Sequence, residues 1–206
     1  VGVTDSAVTT RIGLLGGSFD PVHRAHVALA TTALRHLQLD AVHLVPAAEP
    51  WQRPPLGAAP DHRAAMLELA IAGQPDLAVD RIELARGGPS YTIDTIEALK
   101  RPDTRHVLIL GADQVANFCT WHRWEDVIAN VDLAVAARAG DPPAVPEALA
   151  AALARHGRAL LDLPMPAMPV SASTIRRRLA AGESVDDLIS PAVLDYIRSH
   201  RLYGTT

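Results

Sequence analysis

The sequence predicts an α/β protein with a doubly wound parallel sheet, and three observations carry that prediction. Short apolar runs alternate with amphipathic helical stretches along most of the 206 residues. The apolar runs lack the in-out alternation of a half-exposed sheet, so they read as strands covered on both faces, as in parallel sheets. The polar peculiarities of the chain fall directly after these runs, on what becomes one edge of the sheet, where open α/β sheets bind ligands. With 49% hydrophobic and 20% charged residues there is ample apolar material for one domain, expected over residues 11–206.

Val1 to Thr10 is small and polar and is expected to be a flexible leader. Arg11 to Gly16 supplies Ile12, Leu14 and Leu15 as a buried strand, and a glycine turn follows. From His23 to Leu37, Val27, Ala30, Leu34 and Leu37 recur at helical spacing. Ala41 to Val45 is a second strand, stopped by Pro46. Five prolines between Pro46 and Pro60 make a stiff loop that also carries Trp51, Gln52 and Arg53. Asp61 to Ala72 reads as helix and Leu77 to Leu84 as strand. Ser90 is a good N-cap for a helix running to Leu99, and His106 to Leu110 is a strand ending in Gly111-Ala112-Asp113.

Trp124 to Asn130 is a short helix, and Val131 to Ala137 an apolar strand ending at Arg138 and Gly140. Pro142 to Arg155 is alanine-rich and helical, and Ala159 to Leu163 is the last strand. A second stiff loop through Pro164, Pro166 and Pro169 leads to two short helices, Thr174 to Ala181 and Pro191 to Arg198, with Gly182 between them. The alternation gives a Rossmann-like sheet with a small C-terminal helical tail.

The eleven residues Gly16 to His26 read GGSFDPVHRAH and join a strand to a helix. Such a turn aims backbone N–H groups of Gly16, Gly17, Ser18 and Phe19, and the positive end of the helix dipole, at an anion; His23 and His26 add side-chain donors. There is neither a G-x-x-x-x-G-K-[ST] nor a G-x-G-x-x-G, so the two commonest phosphate motifs are excluded. A net charge of −4 and a pI near 6.1 argue against a nucleic-acid surface but allow one basic pocket. Cys119 is the single cysteine, so neither an internal disulfide nor a cysteine-rich zinc site can form. His23 and His26 lack a third ligand nearby, and no protein-held metal is expected. No run of 18 or more uncharged apolar residues occurs, and the opening residues lack the basic start and apolar block of a secretory signal. A cytoplasmic protein without a membrane partner is the expectation.

The motif GGSFDPxHxxH resembles the signature of the nucleotidylyltransferase superfamily, with Ala25 in place of the usual glycine. Near the other end, Ser171-Ala172-Ser173-Thr174-Ile175-Arg176 resembles the second signature of the same superfamily. Ser90-Tyr91-Thr92-Ile93-Asp94-Thr95, and Gly111-Ala112-Asp113 followed by Trp121, are similar to segments of the bacterial nicotinate-mononucleotide adenylyltransferase family. Pantetheine-phosphate adenylyltransferases share the first histidines but are shorter and lack the S-Y-T-x-D-T helix.

The resemblance implies transfer of the adenylyl group of ATP to nicotinate mononucleotide, with Mg²⁺ carried mainly by the phosphates. It implies His23, His26 and Arg176 as catalytic donors. It implies Gly16, Gly17, Ser18, Phe19, Gly111, Asp113, Ser171, Ser173 and Thr174 at ATP, with Asp113 on the ribose. For the mononucleotide it implies Trp121 stacked on the pyridine ring, Thr92 facing its carboxylate, and Arg53 and Arg138 at the phosphate. Ala47, Ala48 and Gln52 depart from the family's usual polar residues in the proline loop. Another phosphorylated acceptor, or a nucleotide-sensing module without turnover, are the competing readings, and self-association stays open.

Local chemistry offers blander roles beside these. Asp20 reads as a turn or cap residue, Trp124 as core, and Ser171, Ser173 and Thr174 as helix caps; Thr92 and Asp94 can equally finish a cap. Arg177 and Arg178 read as a solvated face, Cys119 as a small hydrophobe, and His36, His43, His62 and His106 receive no role.

Overall fold

In the computed structural model, residues 9–50, 55–138, 143–166 and 168–205 are described, without the side chains of Ala137 and Arg138. The chain runs through β1 (Thr10–Gly17), α1 (Arg24–His36), β2 (Ala41–Pro46), α2 (Pro60–Ala70), β3 (Leu77–Val79), α3 (Ile82–Arg86) and α4 (Thr92–Leu99). Then follow β4 (Thr104–Gly111), α5 (Ala112–Ala116), α6 (Trp124–Asn130), β5 (Asp132–Arg138), α7 (Glu147–Arg155), β6 (Leu161–Met165), α8 (Ala172–Ala180) and α9 (Pro191–Ser199). Tight 3₁₀ turns occupy Phe118–Thr120 and Leu202–Gly204.

The strands form one parallel sheet in the order β3-β2-β1-β4-β5-β6. Alternate residues of each strand go to opposite faces, and both faces are covered. Leu15, Val42, Leu44, Val107 and Ile109 join the core with α1, α2, α8 and α9. Leu14, Leu108, Leu110, Leu133 and Val135 join the core with α4, α6 and α7. Two buried faces explain why the strands read as continuous apolar runs. Gly13 is required by packing in the central strand, because a Cβ there would lie 2.9 Å from Ile109 Cδ1 and from Leu39 Cδ1.

Several boundaries differ from the sequence expectation. The leader ends earlier: Thr10 already belongs to β1, and its N–H donates to Asp103 O at 2.9 Å; residues 1–8 lie outside the described residues. The run Leu77 to Leu84 is a strand only to Val79, because Asp80 Oδ1 accepts the N–H of Ile82 at 3.0 Å and turns the chain into α3. Ser90 does not cap α4; Tyr91 takes that position, while Ser90 Oγ accepts the N–H of Glu49 and ties the proline loop to the helix. The helix expected from Pro142 starts at Glu147, past Pro146. β6 is shifted two residues onward and contains Pro164, tolerated because β6 is an edge strand with one side unpaired.

The chain reverses its direction of travel between β1 and β4, which are neighbours in the sheet. Their carboxyl-end loops therefore diverge and leave a crevice. The segments after β1, β2 and β4 open onto it, and the tail through α8 and α9 packs on one face of the sheet.

Candidate active site

The phosphate turn leaves β1 at Gly17 and folds its own aromatic side chain underneath. Phe19 is 2% exposed and takes φ 49°, so its ring lies below Gly17, where a Cβ would sit 3.1 Å from Cζ. Glycine is the residue that lets the turn and ring approach this closely. The Asp20–Pro21 peptide is cis. Val22 is buried, and α1 begins after His23.

His23 and His26 sit one helical turn apart with rings stacked at a centroid distance of 3.7 Å and 19° between planes. The His23 N–H donates to Nδ1 of His26 at 3.2 Å. A neutral His26 therefore carries its proton on Nε2. Phe19 buttresses His26 edge-on at 4.9 Å. His23 is buried, and desolvation pulls its pKa down to about 4, so it is a neutral ring at physiological pH.

Asp20 is not the simple turn residue suggested by the sequence. It is 2% exposed, and its carboxylate accepts from Gly57 N–H at 2.7 Å, Ala58 N–H at 3.0 Å and Tyr203 OH at 2.8 Å. Arg176 Nη1 donates to the Asp20 carbonyl at 2.6 Å and lies 3.6 Å from Oδ2. The two signatures at opposite ends of the chain thus meet through direct contact. Ser171 caps α8 by accepting the N–H of Thr174, as expected, and its Oγ lies 3.0 Å from both Ser173 Oγ and Thr174 Oγ1. One turn further along α8 stands Arg176.

Across the crevice, Gly16, Gly17 and Ser18 line a cleft together with Thr92 and Trp121. Trp121 leans on the fully buried Phe118 at 5.0 Å, and Trp124 meets the same ring edge-on at 6.4 Å from within α6. Both tryptophans are partly buried, and Trp121 is the one facing the cleft. Gly111 ends β4, and its N–H donates to Gln114 Oε1; Asp113 is exposed in the first turn of α5. Arg138 ends β5, its side chain outside the described residues, as is all of Arg53.

Several important residues were missed from sequence. Arg63 is 1% exposed and donates to four carbonyls: Ser18 O at 2.8 Å, Ala47 O at 2.7 Å, Ala48 O at 3.3 Å and Ala58 O at 3.2 Å. Burial alone lowers its pKa, an effect opposed by Asp20. Its only sequence signal is an arginine just before the apolar Ala64–Leu67 run of the helix. The cleft also contains buried Glu83 and Thr95; Thr95 Oγ1 donates to Glu83 Oε1 at 2.7 Å and accepts from the Arg86 guanidinium at 3.2 Å. The glutamate between Ile82 and Leu84 looked like part of a strand.

Fold and crevice together define a nucleotidyl-transferring class of α/β protein: the Cytidylyltransferase-like family model matches residues 14–178, and the chain belongs to that family. Within it, the chain is 58% identical over 193 residues to a Bordetella petrii protein named "Probable nicotinate-nucleotide adenylyltransferase", covering 94% of this chain and 98% of that one. A protein of the same name from Bordetella pertussis is 56% identical over 194 residues, with the same coverage. The fold is similar to that of Plasmodium falciparum nicotinic acid mononucleotide adenylyltransferase complexed with NaAD, with a TM-score of 0.77 at 19% identity over 96% of this chain and 98% of that one.

Proposed function

We propose that this protein transfers the adenylyl group of ATP to nicotinate mononucleotide, releasing pyrophosphate and forming nicotinate adenine dinucleotide. The observation that carries this reading is the single cleft in which the phosphate turn, Gly16 to Ser18, faces Thr92 and Trp121. Relatives more than half identical over nearly their whole length bear the corresponding name.

A phosphate oxygen of the mononucleotide attacks the α-phosphorus of ATP, one P–O bond forms, and the bond to pyrophosphate breaks. The nucleophile is already anionic at neutral pH, so no general base is needed. Catalysis then consists of aligning two anions and stabilising charge as it develops. Backbone N–H groups of Gly16 to Phe19, the Nε2–H of His26 and the Arg176 guanidinium are donors suited to this task. His23 contributes as a neutral ring stacked on His26, while its backbone N–H donates to His26 Nδ1. Ser171, Ser173 and Thr174 would hold the triphosphate from the α8 side, and Gly111 and Asp113 the adenosine. Trp121 would stack on the pyridine, Thr92 face its carboxylate, and Arg53 and Arg138 hold the mononucleotide phosphate.

Mg²⁺ would neutralise phosphate oxygens. Phosphate and water would supply most of its ligands. No helix among the described residues is long and apolar enough to cross a membrane; the cytoplasm, where ATP is abundant, is the proposed setting, without a nucleic-acid partner. Purified protein with Mg²⁺, ATP and nicotinate mononucleotide is expected to give the dinucleotide and pyrophosphate, resolved by chromatography. ATP binding without either product would instead identify a sensing module.

A further inference from the structure

We propose that Arg63 and Asp20, locked by the C-terminal Tyr203, are positioning residues that set the proline loop against the phosphate turn and aim Arg176. None touches the reacting atoms. Each acts through backbone that does.

Two buried, oppositely charged side chains share the work. The Arg63 guanidinium reaches the turn at Ser18 O, the start of the proline loop at Ala47 O and Ala48 O, and its end at Ala58 O. The Asp20 carboxylate answers from the turn, accepting the Gly57 and Ala58 N–H groups. Both ends of the loop are thereby tied to the turn at Ser18 and Asp20. Ala47 and Pro50 of the loop and Ser18 of the turn line the proposed acceptor cleft, so this linkage holds loop and turn in register along it.

The lock comes from the far end of the chain. Tyr203 lies 183 residues from Asp20, takes φ 57° within the last turn and donates its hydroxyl to Asp20 Oδ1 at 2.8 Å. Burial beside that carboxylate raises its pKa, so the phenol stays a donor. Gly57 is packed against it: a Cβ there would meet Tyr203 Cε1 at 3.0 Å and Arg176 Cδ at 3.3 Å. Arg176, bonded to the Asp20 carbonyl, is held by the same assembly. A planar five-donor group is needed at position 63, since a lysine ammonium cannot span four carbonyls in three segments.

The kinetic part of this inference rests on the adenylyl-transfer reading; hydrogen exchange does not. In Tyr203→Phe the ring is kept and one hydrogen bond to a charged acceptor is lost, so the Gly57 and Ala58 amides are expected to exchange about tenfold faster, together with the Ser18–Asp20 turn. In both Tyr203→Phe and Arg63→Lys, kcat is expected to fall on the order of tenfold at a temperature well below each variant's Tm, because displaced donors are costly to an in-line transfer. A lowered Tm with kcat and both KM values within about twofold of wild type would make these residues merely structural and overturn the inference. Faster exchange confined to the last turn in Tyr203→Phe would overturn it as well. An inactive wild type would sink the adenylyl-transfer reading alone, and the exchange data would still decide the linkage. Should Arg63→Lys fail to fold, Tyr203→Phe, which removes a single hydroxyl, carries both measurements.

Discussion

Acidification should strike this protein at the start of α1. His23 is 9% exposed, its Nδ1 has no hydrogen-bond partner among the described residues, and burial takes its pKa from 6.5 to about 4. Between those two values the unfolded chain binds a proton that the folded protein does not. Stability therefore rises with pH across this window and is lost as pH falls through it. At pH 4.5 the unfolded imidazole is almost fully protonated and the folded one mostly neutral, which places the loss relative to pH 7.5 at about 2–3 kcal/mol. Urea unfolding at both pH values, on wild type and on His23→Asn, measures it. Carboxylates titrate alike in the two proteins, so their difference isolates His23. Wild type is expected to lose about 2–3 kcal/mol more than the variant on acidification. Equal losses would refute the reasoning, since they would mean that His23 titrates as an exposed histidine.

Other outcomes follow from the site and the core. Replacing His26 with Ala should lower kcat by about 10²–10³ if its Nε2–H stabilises charge developing in the transfer; a near-normal kcat in steady-state assays would move that role elsewhere. Trp121→Ala should raise the KM for nicotinate mononucleotide far more than the KM for ATP, and equal effects on both would deny it the stacking role. Gly13→Ala forces a methyl to within 3 Å of the buried Ile109, Leu39 and Val42 side chains. It should destabilise by about 1–3 kcal/mol in chemical denaturation; an unchanged midpoint would show that these side chains move aside freely.

The residues whose type already declares a conformation or a chemistry were legible in the chain. The glycine turn between an apolar run and a helical period, the serine that caps α8 and the histidines at the head of α1 all depend on nearest neighbours in sequence. So do the six strands, because a strand covered on both faces must be apolar throughout. Where the expectation slipped, a short polar side chain had competed with the ladder, as at Asp80, or pairing with a neighbouring strand had decided the register, as at β6.

Asp20, Arg63, Glu83 and Tyr203 could not be read this way. An aspartate beside a proline looks like a turn, an arginine on a helix looks solvated, and a tyrosine before a glycine looks incidental. Their meaning depends on partners outside their own local stretch, as far as 183 residues away for Asp20 and Tyr203. Burial makes those partners obligatory, since a charge removed from water must find donors or acceptors within reach. The sequence by itself determined which chemistry the chain carries: a phosphate turn, an arginine signature and an acceptor segment. Only the tertiary structure decided that the turn and the arginine signature meet at one buried carboxylate, and that one buried guanidinium ties the turn to the proline loop, because closing long loops around buried charge is a property of the folded chain and of no single stretch within it.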